Sequence, residues 1–373
     1  MSPEVRGAAR SSDFDGSRLT LARRMRRLSK TVLATDIGVS AAAVTQYEKG
    51  ITRPTAAVLA AISLRLGLDK SFFGAGRPLQ SLPAASAHFR SLRSTTAIAR
   101  EQALAYGELG LELTALIEQY VELPAPSLPA IDLPSVDVPE DLPIEEIRQV
   151  VLQVKEAWGI APGPVAHVVR LLEAHGVLVL RLPEGIDRKV DAFSSDAGHR
   201  PLVMLNPGKD DKARSRFDAS HELGHLVLHP DNEPGSKLLE QQADAFAAEF
   251  LMPRDEIIDQ LPRRVDWPVF HELKRHWGVS LRALVYRAHA LGTLSESSYR
   301  RANQRLAAQG HPEPGPLGPP ESPSLLGSAV ALLFQAGISL DTILEAGRLD
   351  PVEAEPIIEA GSETKPRLSM ASG

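Results

Sequence analysis

His221, Glu222 and His225 stand in the order H-E-x-x-H, inside residues 216–252, which read RFDASHELGHLVLHPDNEPGSKLLEQQADAFAAEFLM. The apolar residues around them recur with helical spacing. On a helix, positions four apart lie on one face, one above the other. His221 and His225 can therefore present two imidazoles to one zinc ion, at roughly 2.0–2.1 Å each. Glu222 is turned a little over a quarter of the way round the helix from His221. From there it can reach a water held by the metal without ligating the metal, which is the position a general base needs.

A catalytic zinc usually has three protein ligands and one open position. A turn-rich break at residues 230–235 is followed by a second helical stretch over 238–251, and Met252-Pro253 marks its end, because the residue before proline is pushed out of helix. Two antiparallel helices joined by a short loop bring Glu240 to the metal. Asp244, one turn further on, can accept the spare N–H of a ligand histidine. Glu249 and Glu256 are nearby alternatives to Glu240, and both are expected to face solvent. Gly224 lies inside the first helix, where it costs about 1 kcal/mol relative to alanine; close helix packing beside the metal would account for it.

The elements that must hold this pair of helices follow from the sequence before it. Helices are expected over 144–158 and 164–175, and strands over 177–182, 190–194 and 202–205. The last strand sits just before the metal helix, where an open edge could pair with an extended peptide.

The chain has 373 residues, enough for two or three domains, and a net charge of −6. It has no cysteine, which excludes disulfides, thiolate metal sites and a cysteine nucleophile. There is no signal-like apolar run and no stretch approaching 18 apolar residues, so the expectation is a cytoplasmic protein with no membrane partner.

Residues 18–76 depart from the acidic whole. Ten Lys and Arg face three acids there, a local balance of +7. Such a module points to a polyanion partner. Its pattern is a string of short helices: 21–28, 31–37, 41–49 opened by Ser40 and ended by Gly50, and 56–66 opened by Thr55 and closed by Gly67. Two short helices around the Gly38-Val39-Ser40 turn are a helix-turn-helix signature.

This stretch resembles the lambda-repressor-like (XRE-type) helix-turn-helix family through Leu28-Ser29-Lys30, Leu33-Ala34, Ile37 to Ser40, Val44, Gln46 to Gly50, Arg53-Pro54 and Leu68. The resemblance implies DNA binding, with Ser40 to Gln46 opening the helix that enters the major groove. Thr45 and Gln46 would then read base edges, and Lys30, Lys49 and Arg53 would contact phosphates. Ala41, Ala42 and Ala43 bring no hydrogen-bonding side chains to that surface.

Residues 144–310 resemble the ImmA/IrrE family of zinc metallo-endopeptidases. The matching words are Ala192-Phe193-Ser194, Leu205-Asn206, Arg216-Phe217, Ala219 to Leu226, His229, Glu240 to Ala247, Leu251-Met252-Pro253 and Trp277 to Ser280. The resemblance implies Zn2+ held by His221, His225 and Glu240, with Glu222 as catalytic base. It also implies cleavage of a protein substrate, a DNA-binding repressor, under stress. An oxyanion donor is expected, with His229, His271, His276 and Tyr286 as open candidates.

The resulting architecture is mainly α with an α+β catalytic domain. A tail (1–16) precedes a five-helix helix-turn-helix domain (17–76). A helical connector (77–123), read as one or two amphipathic helices over 88–123, serves as a packing spacer or a dimerisation helix. A Pro-rich linker (124–143) holds six prolines. Next comes a zincin-like metallopeptidase domain with a small sheet (144–310), whose basic stretch 266–292 packs beside the catalytic helices. A second Pro-rich linker (311–323), a small helical domain (324–360) and a tail (361–373) complete it. Repressor-type modules often pair, so a homodimer stays open, although no heptad pattern demands one. The competing function is a transcription factor whose peptidase-like domain senses metal or ligand without turnover.

Overall fold

The structure, a computed structural model, describes residues 14–76, 79–83, 87–89, 95–129, 131, 142–187, 189–190, 192–207, 211–230, 236–310 and 312–359. Most of the expected tails, the central part of the first Pro-rich linker and the turn over 231–235 lie outside these residues.

The N-terminal module contains α1 (Gly16–Met25), α2 (Lys30–Asp36), α3 (Ala41–Glu48) and α4 (Ala56–Leu66), then a 3-10 turn, Lys70–Phe73. The expected five helices are thus four α-helices and one tighter turn. Asp15, Ser29, Ser40 and Thr55 each cap the helix that follows by accepting a backbone N–H. Gly67 ends α4 at φ +66, a left-handed conformation that glycine adopts without a Cβ penalty. The tail was expected to run through Gly16, but Phe14 is buried and bridges to Gly74, and Asp15 opens α1. Burying Phe14 closes the module at its two chain ends.

The connector was expected to be helical from residue 88. Instead His88–Phe89 form strand β1, and a single helix, α5 (Ala97–Ile117), follows. α5 is buried nearly all round, as a helix inside a core is, and its buried carboxylates Glu108 and Glu112 are paired. It packs on α1, on the sheet and on the C-terminal helices. The face that a dimer would use is therefore largely covered within the chain. Gly110 permits the approach to the sheet, since a Cβ there would lie 2.2 Å from Leu180 Cδ1.

Next come α6 (Ile144–Ala157), α7 (Val168–Ala174), β2 (Leu178–Arg181), β3 (Phe193–Ser195), β4 (Leu202–Leu205), α8 (Lys212–Leu228) and α9 (Lys237–Leu251). The strands lie in the order β1-β3-β4-β2, with β2 and β4 parallel and the other pairs antiparallel. β4 was expected to offer an open edge, but it is paired on both sides. β1 covers the outer side of β3 at Phe193 and Ser194. Side chains alternate across the sheet: Leu202 and Met204 join the core around α5, whereas Val203 and Leu205 join the core around α8 and α9.

The chain continues through α10 (Arg254–Ile257), α11 (Trp267–Trp277), α12 (Leu281–Ala290) and α13 (Glu296–Gln309). The second Pro-rich stretch, expected to be a linker, is a strap bound to the domain it follows. Glu313 accepts the Leu281 and Arg282 N–H groups and pairs with Lys274. Glu321 is buried and pairs with Arg216 on α8 at 2.5 Å, and also accepts the Val168 and Val169 N–H groups that open α7. Proline composition sets local stiffness, but these two carboxylates set where the segment lies.

The last helices, α14 (Leu325–Gln335), α15 (Leu340–Gly347) and α16 (Pro351–Glu359), dock on α5 rather than standing apart. Glu353 of α16 pairs with Arg26 of the N-terminal module at 2.5 Å. Among the described residues, no single helix is long and apolar enough to cross a membrane.

Candidate metal centre

α8 carries His221, Glu222 and His225, and α9 crosses it with Glu240 and Asp244. The two helices meet at Gly224, where a Cβ would come within 3.1 Å of Phe246. The backbone thus approaches at the site itself, which accounts for a glycine in mid-helix.

The structure brings His221, His225 and Glu240 together. The two Nε2 atoms are 3.1 Å apart, and each lies 3.4 Å from a Glu240 carboxylate oxygen. A tetrahedral ion with bonds of roughly 2.0–2.1 Å separates its ligands by about 3.3 Å. These three residues thus form a triangle of the size such an ion requires. The donor set is two imidazoles and one carboxylate, suited to a divalent metal with an open fourth position. Both histidines are buried, and both turn Nε2 inward. His221 Nδ1 faces Asp244 Oδ1 at 2.9 Å, as expected for its supporting partner. Burial opposes the charge of Glu240, but hydrogen bonds from His221 and His225 overcome it and hold the carboxyl well below the ordinary range.

Glu222 is completely buried on the inner side of α8. Ser194 of β3 donates its hydroxyl to Oε2 at 2.7 Å, while Oε1 has no hydrogen-bond partner among the described residues. A buried oxygen left in that state costs about 1–3 kcal/mol, unless a ligand or water completes it. Burial pushes the carboxyl up to about 8, against the pull of His221 and Ser194. A positive ion between the three ligands would pull it back down.

The other candidates are placed elsewhere. Glu249 was expected in solvent; it is buried, pairs with Arg287 and accepts the Arg254 N–H at 2.9 Å. Glu256 accepts the Gly163 N–H. Of the four proposed oxyanion donors, His229 lies behind His225, with Nδ1 to Nδ1 at 3.0 Å. His271 faces Gly315 of the strap, and His276 packs on Trp277. Tyr286 is 52% exposed and shares with Phe217 and Asp244 a cavity of about 590 Å³. Ser194, His229 and Gln242 are the residues whose placement the motif did not foretell. The i+4 spacing of His229 from His225 is a signal that would have found one of them.

In the N-terminal module, α3 lies at the surface. Ser40 caps it through the Ala43 N–H, and Gln46, Lys49 and Arg53 are exposed. The Thr45 hydroxyl donates to Ala41 O at 3.0 Å. Lys30 pairs with Glu48 at 3.0 Å, a carboxylate also bound by Arg23 at 2.5 Å. Not all of the basic excess faces outward, because Arg18 pairs with Glu112, Arg24 with Glu108 and Arg26 with Glu353. Counting those three acids lowers the local balance from +7 to +4.

Comparison with known proteins agrees with this division. Residues 19–73 match the helix-turn-helix family model. Residues 172–289 match the peptidase family model described as the IrrE N-terminal-like domain. No curated protein matched the chain. The chain thus joins a stretch similar to helix-turn-helix DNA-binding domains to one similar to the IrrE N-terminal-like peptidase domain.

Proposed function

We propose that the chain is a cytoplasmic DNA-binding regulator that hydrolyses a peptide bond in a protein partner, a DNA-binding repressor or antitoxin-like protein, and so relieves repression. The observation that carries this reading is Glu222, buried beside three convergent ligand atoms, with one carboxylate oxygen held by Ser194 and the other without a partner among the described residues. His221, His225 and Glu240 would hold zinc. Bound zinc supplies polarisation of the scissile carbonyl and a water with a pKa of about 7.

The residues do the rest. Glu222 takes the proton of the attacking water on its open oxygen and returns it to the leaving amine. Ser194 holds the carboxylate by its other oxygen, Oε2, and so restrains its rotation. An extended peptide that adds a strand beside Ser194 has to displace β1, because the connector already pairs there.

One feature favours the second reading, a metal sensor without turnover. The DNA-binding module is tied to α5 by Arg18 and Arg24, and α5 packs on the same sheet as α8. Occupancy at the metal centre could therefore be felt by the DNA-binding module with no peptide cleaved. Mapping new protein N-termini in cells expressing wild type or Glu222→Gln separates the two. New termini on a DNA-binding protein, with wild type only, support the peptidase. Identical termini in both strains under every stress tested would leave the sensor.

A further inference from the structure

His229 and Gln242 take no part in that reaction scheme, yet both are buried against it, at 1% and 6% exposure. His229 stands one turn beyond His225, just after α8, and Gln242 stands two residues beyond Glu240 on α9. His229 Nδ1 lies 3.0 Å from His225 Nδ1, and His229 Nε2 lies 2.8 Å from Gln242 Oε1.

The protons along this string have one consistent arrangement. A metal bound at His225 Nε2 needs the lone pair there, so the neutral ring carries its proton on Nδ1. That N–H faces His229 Nδ1, which must accept it. A neutral ring with a bare Nδ1 carries its proton on Nε2, and this N–H donates to Gln242. A carbonyl oxygen can only accept, so the string ends there without ambiguity. The opposite arrangement would leave His225 with a proton aimed at the metal position. His221 is treated differently, since its partner Asp244 is a carboxylate whose side chain is 43% exposed.

We infer that His229 and Gln242 are positioning residues that lock His225 in its metal-binding tautomer. They do so with a neutral, buried relay that also ties α8 to α9. The inference rests on the metal reading above. It names a role for His229 other than oxyanion donor, and it gives Gln242 a role where the motif assigns none.

The test is metal affinity, measured on the full chain by zinc competition with a chromophoric chelator, together with visible absorption of the cobalt-substituted protein. His229→Phe keeps a ring but removes the acceptor, and should weaken zinc about 10–100-fold and shift the cobalt bands. Gln242→Leu should weaken zinc less, and His229→Gln, which returns an acceptor, should recover part of the loss. His229→Phe that is folded by circular dichroism and binds zinc like wild type would overturn the relay. So would His229→Gln that is no better than His229→Phe. Should His229→Phe not fold, Gln242→Leu decides: unchanged affinity and an unchanged cobalt spectrum overturn the relay. A wild-type chain that binds no zinc would overturn both the relay and the peptidase reading, whereas the earlier outcomes remove the relay alone.

Discussion

The candidate metal centre and the DNA-binding module are both legible from short local patterns, and they differ in how far those patterns reach. At the metal centre, helical spacing fixed which face His221 and His225 share. A second helix a few residues later could hardly pack anywhere but alongside. The ligand triangle closes within 3.1–3.4 Å. In the DNA-binding module, spacing again placed the helices, but the charge pattern overstated how much basic charge faces outward. Three of its ten basic residues are matched to Glu108, Glu112 and Glu353, which stand 84, 94 and 327 positions away from their partners. Geometry within a helix is decided by neighbours in sequence. The partner of a charge is decided by the whole fold.

The largest effects are expected at the metal centre. His225→Ala should abolish metal binding, read as metal content by mass spectrometry, because two remaining ligands do not make a site. Glu222→Gln should keep the metal and lower the rate of peptide cleavage about 10²–10⁴-fold. Loss of metal in that variant would show that Glu222 is a ligand, and full occupancy in His225→Ala would reject the helix assignment.

Next in size is the join between the two regions. Arg18 is fully buried and pairs with Glu112. Glu112→Ala should cost about 3–5 kcal/mol in chemical denaturation, since it leaves a buried charge without that carboxylate. Arg18→Met combined with Glu112→Leu should recover most of it. A small loss for the single variant would mean that water reaches Arg18.

A smaller and more pointed effect separates inward from outward charge. Lys49→Ala should weaken DNA binding uniformly across sequences and reduce the salt slope by about 1. Arg24→Ala should leave the salt slope unchanged, because Glu108 holds Arg24 at 2.8 Å. Equal slopes for the two variants would mean that Arg24 reaches the DNA as Lys49 does. The smallest effect is expected at the half-exposed pair Arg65–Asp36, where Arg65→Ala should change stability by about 0–1 kcal/mol.

The same contrast runs through the rest of the chain. Helix starts were legible where Ser or Thr stood before an apolar-periodic run, as at Ser40 and Thr55, because a cap is a contact between near neighbours. Strand β4 was legible as a strand but not as a central one, since pairing depends on where β2 and β3 arrive. Glu249 looked like a solvent carboxylate, because nothing near it in sequence announces Arg287. The strap over 312–323 looked like a linker because its prolines are local, whereas the partners of Glu313 and Glu321 are remote.

By itself, then, the sequence determined the order of the two domains, the helices that hold the candidate ligands and the H-E-x-x-H pair, with Glu240 and Asp244 one turn apart on the next helix. Those features follow from the 3.6-residue period and from caps, which act within a few residues. Only the tertiary structure decided that Ser194 holds Glu222, that His229 and Gln242 back His225, that β1 lies along the edge beside the site, and that the C-terminal helices clasp the DNA-binding module through Glu353. Apart from the short step from His225 to His229, each of these joins segments that are distant in sequence. Burial makes a missing partner costly, so the fold, rather than the local pattern, selects the partner.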